Sequence, residues 1–301
     1  MSWVLLAIIS SATIAIISVL DKAFLHYYSR SHWTLLLLIG GAQLLIGFVL
    51  VVVTRGTEIP WFGIQWSIVS GILWALNTVL VIRVLSKKEV SRTIPIALSF
   101  PIFVAPMAVF VLGEQLSTTH WVSIGVAVIG SVIISTNFSD RLTRPTLDNS
   151  LYLLLFASIL LAGSHIAIKL SLEELTVLPA HGWRALSFGT VLLVIATRPE
   201  AINDVFAMAR QKSFGLGIFA VNEFLVANIG MLLNLLALSL GPVSLVSAIT
   251  ATSSLFVFLY GSILAIRFRG FLGEQVNSRT LAIKGISTMM IVGAVVVIAI
   301  A

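Results

Sequence analysis

The chain has 301 residues, of which 58% are hydrophobic and 10% charged, and its mean hydropathy is +1.09. A soluble domain carries about 25% charged residues because water must cover its surface, so this composition excludes an ordinary soluble protein and predicts a membrane protein. The net charge of +6 does not indicate nucleic-acid binding, because most Lys and Arg flank apolar runs, and the absence of Cys excludes disulfides and thiolate metal sites.

Ten apolar runs follow one another along the chain, and a membrane-spanning helix needs about 20 such residues. The runs are predicted at 3–25, 33–53, 62–84, 93–112, 118–136, 150–171, 181–197, 214–239, 243–265 and 280–301. The fourth run contains Pro95, Pro101 and Pro106 and should be kinked. The first run has no basic segment before it, so we expect it to stay as a span rather than be cleaved.

A polar segment between the fifth and sixth runs divides the chain into an N-terminal repeat, 1–137, a linker, 138–149, and a C-terminal repeat, 150–301. The tetrapeptide LGEQ follows the fourth run of each half, at 112–115 and 272–275, and a Gly comes ten residues after each Gln. Two five-helix halves must have opposite orientations because five is odd. The sequence therefore predicts an all-α membrane protein of ten transmembrane helices, arranged as two inverted five-helix repeats with a binding site between them.

Small and polar residues recur on one face of corresponding helices. In the first helix of each half the matched sets are Ser11, Ala15, Ser18 and Lys22, and Ser158, Ala162, His165 and Lys169. In the third helices, Ser70, Trp74 and Asn77 match Glu223, Ala227 and Gly230, and Asn234 extends the second set. We expect these faces to line a cavity, with Trp74, Asn77 and Gln43 as candidate substrate contacts.

Glu223 is the main candidate for proton coupling. It lies about ten residues into the run 214–239, and a charged side chain at the bilayer centre costs about 3 kcal/mol on insertion scales. Such an acid is therefore either a proton carrier or a protonated side chain bonded to Asn222, Asn228 or a neighbouring helix.

Basic side chains are the next candidates. Lys22 and Lys169 lie near helix ends, where they either snorkel to the interface or face anionic groups in the cavity. Arg184 is expected on the same membrane side as Lys169. His165, one turn deeper, either relays protons or packs as a hydrogen-bonded side chain.

Two further polar groups have competing interpretations. Glu114 and Glu274, in the two LGEQ copies, are expected to cap or brace the helix that follows them. The small polar residues of the ninth run either line the cavity or allow close packing: Ser247, Thr250, Thr252, Ser253 and Ser254.

The basic residues are also unevenly distributed between the two membrane sides. Fifteen of the 18 lie after odd-numbered helices, and only Arg55, Lys169 and Arg184 lie on the opposite side. The positive-inside rule then places both termini outside the cytoplasm.

The segment from Glu89 to Ser135 resembles the EamA-type branch of the drug/metabolite transporter superfamily, in which a Pro-containing fourth helix ends in Gly-Glu before a Gly-bearing fifth helix. The second copy, LALSLGPVSLVSAITATSSLFVFLYG and then LGEQV, resembles the C-terminal repeat of that family. The resemblance implies a ten-helix transporter in which helices 1–4 and 6–9 surround a central cavity, with helices 5 and 10 outside it. Gln115 and Gln275 replace the Arg common in relatives, and Ser254 replaces a common Pro. Relatives usually keep both termini in the cytoplasm, so the orientation stays open.

These features together predict a multi-pass secondary active transporter of the plasma or inner membrane. The expected substrate is a small polar metabolite, either amino-acid-like or an organic anion, moved by alternating access with Glu223 as the candidate proton site. A lipid-linked substrate flippase and an intramembrane lipid-modifying enzyme are the alternatives, and the enzyme is disfavoured because only Glu223 is an acid well inside a span. We expect no catalytic residues, cofactor or metal. The expected partners are the substrate and the bilayer. Gly285, Gly293 and Ala294 are expected to pack either within the chain or against a second copy in a homodimer.

Overall fold

The structure is a computed structural model, and it describes residues 2–29, 31–55, 60–85, 99–135, 149–267 and 278–300. Within these ranges the regular structure is helical throughout, without a strand. The predicted all-α membrane fold is thereby confirmed. The polar linker, apart from Asn149, and the second LGEQ with Glu274 lie outside the described residues.

The helices of the first half are α1 (Trp3–Tyr27), α2 (His32–Val53), α3 (Trp61–Leu85), α4 (Pro101–Leu112) and α5 (Thr118–Ser135). Those of the second half are α6 (Asn149–Leu172), α7 (Val177–Ala196), α8 (Pro199–Arg210), α9 (Phe214–Val221), α10 (Asn228–Leu240), α11 (Val243–Ala251), α12 (Ser253–Arg267) and α13 (Ser278–Ile300). A π-helical stretch, Asn222–Ala227, joins α9 to α10 and is called the π segment.

The apolar helical stretches correspond one to one with the ten predicted runs. Seven of those in the described ranges are long and apolar enough to cross a membrane, and three are shorter: Pro101–Leu112, Thr118–Ile133 and Gly285–Ile298. The eighth run contains α9, the π segment and α10, and the ninth is divided at Thr252 into α11 and α12. The chain is therefore a multi-pass membrane protein.

Helix α8 has no counterpart among the predicted runs, because it is short and amphipathic rather than apolar. Pro199 at its first position, Glu200 in its first turn and Arg210 in its last turn all suit a helix of this polarity. Asp204 of α8 accepts a hydrogen bond of 2.8 Å from the Thr34 hydroxyl of α2. The Arg198 guanidinium lies 3.9 Å from the ring centroid of Trp33. These contacts fix α8 to the start of α2.

Helices of the two halves pack against one another in a reciprocal pattern. The second helices, α2 and α7, pack together, and so do the fifth helices, α5 and α13. The third helix of each half packs on the first helix of the other, giving the pairs α3 with α6 and α10 with α1. Exchanging the halves reproduces these pairs, as expected for two repeats related by a pseudo-twofold axis, although α3 also packs on α7 more extensively than its counterpart packs on α2.

The α2–α7 pair is antiparallel and close enough for backbones to touch. Gly40 faces Gly189 and Gly47 faces Gly182; a Cβ on Gly47 would lie 2.4 Å from the Leu186 nitrogen, and one on Gly189 would lie 2.5 Å from the Leu44 nitrogen. Glycine permits such an approach because it has no side chain. Equivalent helices of the halves therefore run in opposite directions, as inversion requires.

At each end of the bundle an aromatic ring packs on a glycine. At the terminal rim, where α1 begins, the Trp3 ring packs over Gly241 at the end of α10. At the α8 rim, where α1 ends, the Tyr28 ring packs over Gly215 at the start of α9. Helices α5 and α13 pack mainly on each other and on α11 and α12, at the side of the bundle.

Candidate functional site

The π segment interrupts the long helical stretch from Phe214 to Leu240 and turns polar side chains inward. Asn222 and Glu223 at its start are only 1% and 3% exposed. Asn228, just after its end, donates a 2.6 Å hydrogen bond from Nδ2 to the Glu223 backbone oxygen. A wide helical turn leaves carbonyls without their usual partners, and such turns are frequent at functional sites. The Asn228 amide satisfies one of these carbonyls inside the membrane.

Glu223 belongs to an acid cluster formed by Asp21, Gln43, Asn222 and Glu223. Gln43 of α2 donates from Nε2 to Glu223 Oε2 over 3.3 Å, and Asn222 donates from Nδ2 to Asp21 Oδ1 of α1 over 2.8 Å. The Asp21 and Glu223 carboxyl groups also interact electrostatically. The cluster thus joins two helices of the first half to the third helix of the second half.

Asp21 was not among the site residues predicted from the sequence. Within the described residues, Gln43 Oε1 and Asn222 Oδ1 are buried without a hydrogen-bond donor.

Asn228 also links the acid cluster to α7. Its Nδ2 donates to a carbonyl, which can only accept, so its Oδ1 faces His181 Nε2 at 3.1 Å. The hydrogen on the His181 ring is therefore on Nε2 in this contact. His181 carried no role in the sequence-based site, because its partner lies 47 residues further along the chain.

A second polar group, the guanidinium cluster, consists of Arg184, Trp74, Ser164 and Phe188. The Arg184 guanidinium carbon lies 4.4 Å from the ring centroid of Trp74, and the Trp74 and Phe188 centroids are 4.2 Å apart. Arg184 Nη2 donates to Ser164 Oγ over 3.5 Å, and Ser164 exchanges hydroxyl-to-carbonyl bonds of 2.9 Å with Ser70. Arg184 itself is 3% exposed.

Arg184 lies deeper in its helix than the predicted helix start at 181 implied. Helix α7 begins at Val177, before the predicted start at 181, because Pro179 lies in the first turn, where a helix has no N–H to lose. Arg184 consequently lies about two turns into the helix and contacts the middle of α3. It belongs to the bundle interior, so it should not count toward the charge bias at the membrane surfaces.

Lys169 and Glu114 together hold the corner between α10 and α11 at the terminal rim. Lys169 Nζ donates to the Leu238 and Gly241 carbonyls over 2.6 and 2.9 Å, at the end of α10. Glu114 accepts from the Val243 and Ser244 backbone nitrogens and from the Ser244 hydroxyl, at the start of α11. A cation at a helix C-terminus and an anion at an N-terminus both match the helix dipoles.

Glu114 therefore caps α11 in the opposite half, whereas the sequence reading assigned it to the helix that follows it. Gly113 makes this reach possible, because its φ of 68° ends α4 in the left-handed conformation that glycine adopts without strain.

His165 and Asn234 both contact α11. His165 Nδ1 lies 2.9 Å from Ser247 Oγ, and its ring centroid is 5.1 Å from that of Phe100. Asn234 donates from Nδ2 to Thr250 Oγ1 over 2.9 Å. Both side chains are buried, and these bonds tie the helices of the second half together.

Asn77 and Ser18 make their hydrogen bonds outside both clusters. Asn77 is buried and donates to the Ala157 carbonyl over 2.8 Å, which links α3 to α6. Ser18 is exposed and donates to the Ile14 carbonyl of its own helix over 3.2 Å. Lys22 lies in α1, and its side chain is outside the described part of the structure.

Comparison with known proteins supports the fold and the family. Residues 1–136 match the profile of the EamA-like transporter family. A protein of known crystal structure superposes with a TM-score of 0.72 at 14% sequence identity, covering 99% of this chain and 98% of that one, which shows a shared fold alone. No curated protein matches the sequence. The resemblance read from the sequence is confirmed for residues 1–136, which are similar to the EamA-like transporter family.

Proposed function

We propose that the protein is a secondary active transporter that moves a small polar metabolite across the plasma or inner membrane by alternating access, coupled to protons at Glu223. The observation that carries this proposal is the position of Glu223: a buried carboxyl on the π segment of one half, bonded to Gln43 of the other half. An inverted-repeat carrier works by moving one half against the other around such a central contact.

Proton coupling follows from the cost of burying charge. A neutral carboxyl can pass through a closed, apolar conformation far more cheaply than a carboxylate, because an isolated buried charge loses its hydration. Proton uptake at one membrane side and release at the other would then accompany each exchange between the two open conformations. Asp21 supplies a second acid beside Glu223, so the cluster can share a proton between helices of both halves.

The π segment supplies the mechanical part of this proposal. Its turn is wider than an α-helical turn and is held by the Asn228 side chain. A conversion between π and α geometry would rotate the helix that follows relative to the one before it, which would move Glu223 with respect to Gln43. Occupancy of the acid by a proton and the contact between the halves are thus linked.

A flippase for lipid-linked substrates is the second candidate function. It is favoured by a groove of about 370 Å³ between α3 and α7, open at the bundle surface and lined by Trp183 and Ser187 among apolar residues. In the described structure, the Trp183 Nε1 hydrogen has no acceptor. An amphiphile entering sideways from the bilayer would occupy such a groove.

Uptake into proteoliposomes tests the proposal with amino acids, organic anions and cationic drugs, each with and without a pH gradient. The wild type is compared with Glu223→Gln, and Glu200→Gln, at an exposed residue of α8, is the matched control. We expect gradient-driven uptake to be lost in Glu223→Gln while substrate exchange is retained, and Glu200→Gln to behave like the wild type. Uptake that ignores both the gradient and Glu223→Gln would contradict proton coupling. No flux of any compound, together with movement of a fluorescent lipid between leaflets, would favour the flippase.

A further inference from the structure

We infer that the substrate carries an oxyanion, a carboxylate or a phosphate, and that the Arg184 guanidinium binds it. This inference rests on the proposed transport function and names the chemistry of its substrate. The guanidinium cluster supplies three independent observations: unused hydrogen-bond donors, an aromatic support that leaves those donors free, and a buried positive charge without an acidic partner.

The unused donors are the first observation. A guanidinium carries five N–H donors in a planar fork. In the described residues, Arg184 Nε and Nη1 have no hydrogen-bond acceptor, and Nη2 has only the 3.5 Å bond to Ser164. Buried donors are nearly always satisfied, because an unmade bond costs the full desolvation of the group. Donors left open on a buried charged side chain therefore mark a position for a ligand acceptor.

The aromatic support determines where the ligand binds. Trp74 lies against the guanidinium at 4.4 Å, and Phe188 lies behind Trp74 at 4.2 Å. Stacking occupies a face of the guanidinium plane and stabilises the cation. The N–H groups point outward in that plane, so stacking leaves the edge of the fork open. An oxyanion with two oxygens matches this edge by accepting two parallel bonds.

The local charge selects for an anion. Among the described ionisable side chains, His165 and His181 lie close enough to Arg184 to interact with its charge, and neither supplies a negative charge. No described acid forms an ion pair with Arg184, since its only hydrogen bond is to Ser164. A buried charge without a partner is unfavourable. An anionic ligand removes that penalty, whereas a cation would increase it.

The position of Arg184 also places the ligand next to the proton site. His181 lies one turn before Arg184 on α7 and contacts Asn228, which in turn holds the Glu223 carbonyl. A bound anion would therefore lie close to the helices that carry the acid cluster. This arrangement suits co-transport, because the proton offsets the negative charge of the substrate.

The oxyanion can come from a dissolved metabolite or from a lipid phosphate, and a binding experiment separates these sources. The purified full-length protein in neutral detergent is titrated with glutarate and glycerol 3-phosphate, each paired with its neutral counterpart, glutaramide and glycerol. Binding is followed as a rise in the thermal unfolding midpoint and by calorimetry. In a second arm, phosphatidylglycerol is added to the same detergent solution, and its binding is compared with that of phosphatidylcholine.

We expect at least one dissolved anion to bind saturably to the wild type and its neutral counterpart not to bind. Arg184→Gln should weaken binding by about 10-fold to 100-fold, which corresponds to lost hydrogen bonds to a charged group. Arg184→Lys keeps the charge but loses the fork, so it should bind with intermediate affinity. Arg198→Gln is the matched control: Arg198 also stacks on a tryptophan but is exposed at the α8 rim, and its loss should leave affinity unchanged.

Several results would overturn the inference. Equal affinity in the wild type and Arg184→Gln would remove Arg184 from the site, and preferred uptake of cations would contradict an anion site altogether. Binding only to phosphatidylglycerol, again dependent on Arg184, would assign the oxyanion to a lipid and overturn the metabolite source. Gradient-driven uptake of a cation that depends on Glu223 would leave the proposed transport function intact while rejecting the anion site. The two proposals therefore fail on different measurements.

Discussion

Some single side chains in the centre of this bundle form hydrogen bonds with backbone groups as well as with other side chains. Asn228 is the clearest case, because one amide bonds both the Glu223 carbonyl in the π segment and the His181 ring of α7. Asn77 does the same for α6 by bonding the Ala157 carbonyl. In lipid no water can replace such bonds, so each amide fixes the position of the helix that it contacts.

Replacement of Asn228 by Leu should destabilise the protein by about 1–3 kcal/mol, because it leaves a buried carbonyl and a buried imidazole without their partner. The measurement is unfolding in mixed detergent micelles followed by circular dichroism. Ser239→Ala, which removes an exposed hydroxyl bonded within its own helix, should cost far less. Equal stability of the two variants would mean that the π segment holds its shape without Asn228.

Substitution of Lys169 distinguishes a structural role from a substrate-binding role, which the sequence left open. If its ammonium group mainly holds the end of α10, Lys169→Met should lower stability by about 1–3 kcal/mol through the loss of bonds to the Leu238 and Gly241 carbonyls. Lys212→Met, at an exposed lysine near the other rim, is the control and should be nearly neutral. Normal stability with reduced transport would instead place Lys169 in substrate recognition.

At the scale of elements, the main finding is the close contact between α2 and α7. Gly40 and Gly47 are spaced by two helical turns, and so are Gly182 and Gly189, so the two pairs meet in one antiparallel register. A sequence scan for polar stripes overlooks such positions, because glycine carries no side chain to suggest a function.

Gly47→Ala tests this contact directly. The added Cβ would lie 2.4 Å from a backbone nitrogen of α7, and backbone cannot yield as a flexible side chain can. We expect a loss of about 1–3 kcal/mol from overpacking, measured as the unfolding midpoint in detergent. Gly41→Ala, six residues earlier on a face with nothing within 4 Å, should be neutral or slightly stabilising because alanine favours the helix. A similar effect of both substitutions would show that the helices can separate without penalty.

The elements also show how far sequence reasoning extends. Apolar runs predicted the spanning helices well, since lipid demands long apolar segments whatever their packing. The π segment, the early start of α7 and the amphipathic α8 escaped prediction, because each depends on tertiary contacts or on short local features. Glu223 was identified from the sequence because an acidic residue is rare within a membrane-spanning helix. Asp21 and His181 were not, because their partners Asn222 and Asn228 lie far along the chain.

The whole molecule has two rims of different character. The terminal rim carries Trp3, Lys169 and the Glu114 cap, while the α8 rim carries Arg198, Arg210 and Lys212 beside an amphipathic helix. Because Arg184 lies in the bundle interior, leaving it out of the count keeps the excess of basic residues at the α8 rim. The positive-inside rule therefore still assigns the α8 rim to the cytoplasm.

The absence of native Cys makes the orientation directly measurable. Ser2→Cys and Lys212→Cys introduce single thiols at the terminal rim and the α8 rim, and a membrane-impermeant maleimide is applied to intact cells. The charge distribution predicts labelling at position 2 and protection at position 212 until the membrane is opened. The reverse pattern would give the orientation usual among EamA-type relatives, and labelling of both from one side would contradict the seven spans between positions 2 and 212.

The glycine contact of α2 with α7 has a mechanical consequence for the whole bundle. Two helices in backbone contact can tilt relative to each other, but they cannot slide along each other unless each glycine passes a larger neighbouring residue. If the two halves rock against each other as proposed, this pair would act as the pivot, and separation of the helices at one rim would bring them together at the other. Gln43 lies on α2 and Arg184 on α7, so such a rocking motion would shift the Gln43 bond to Glu223 together with the proposed anion site.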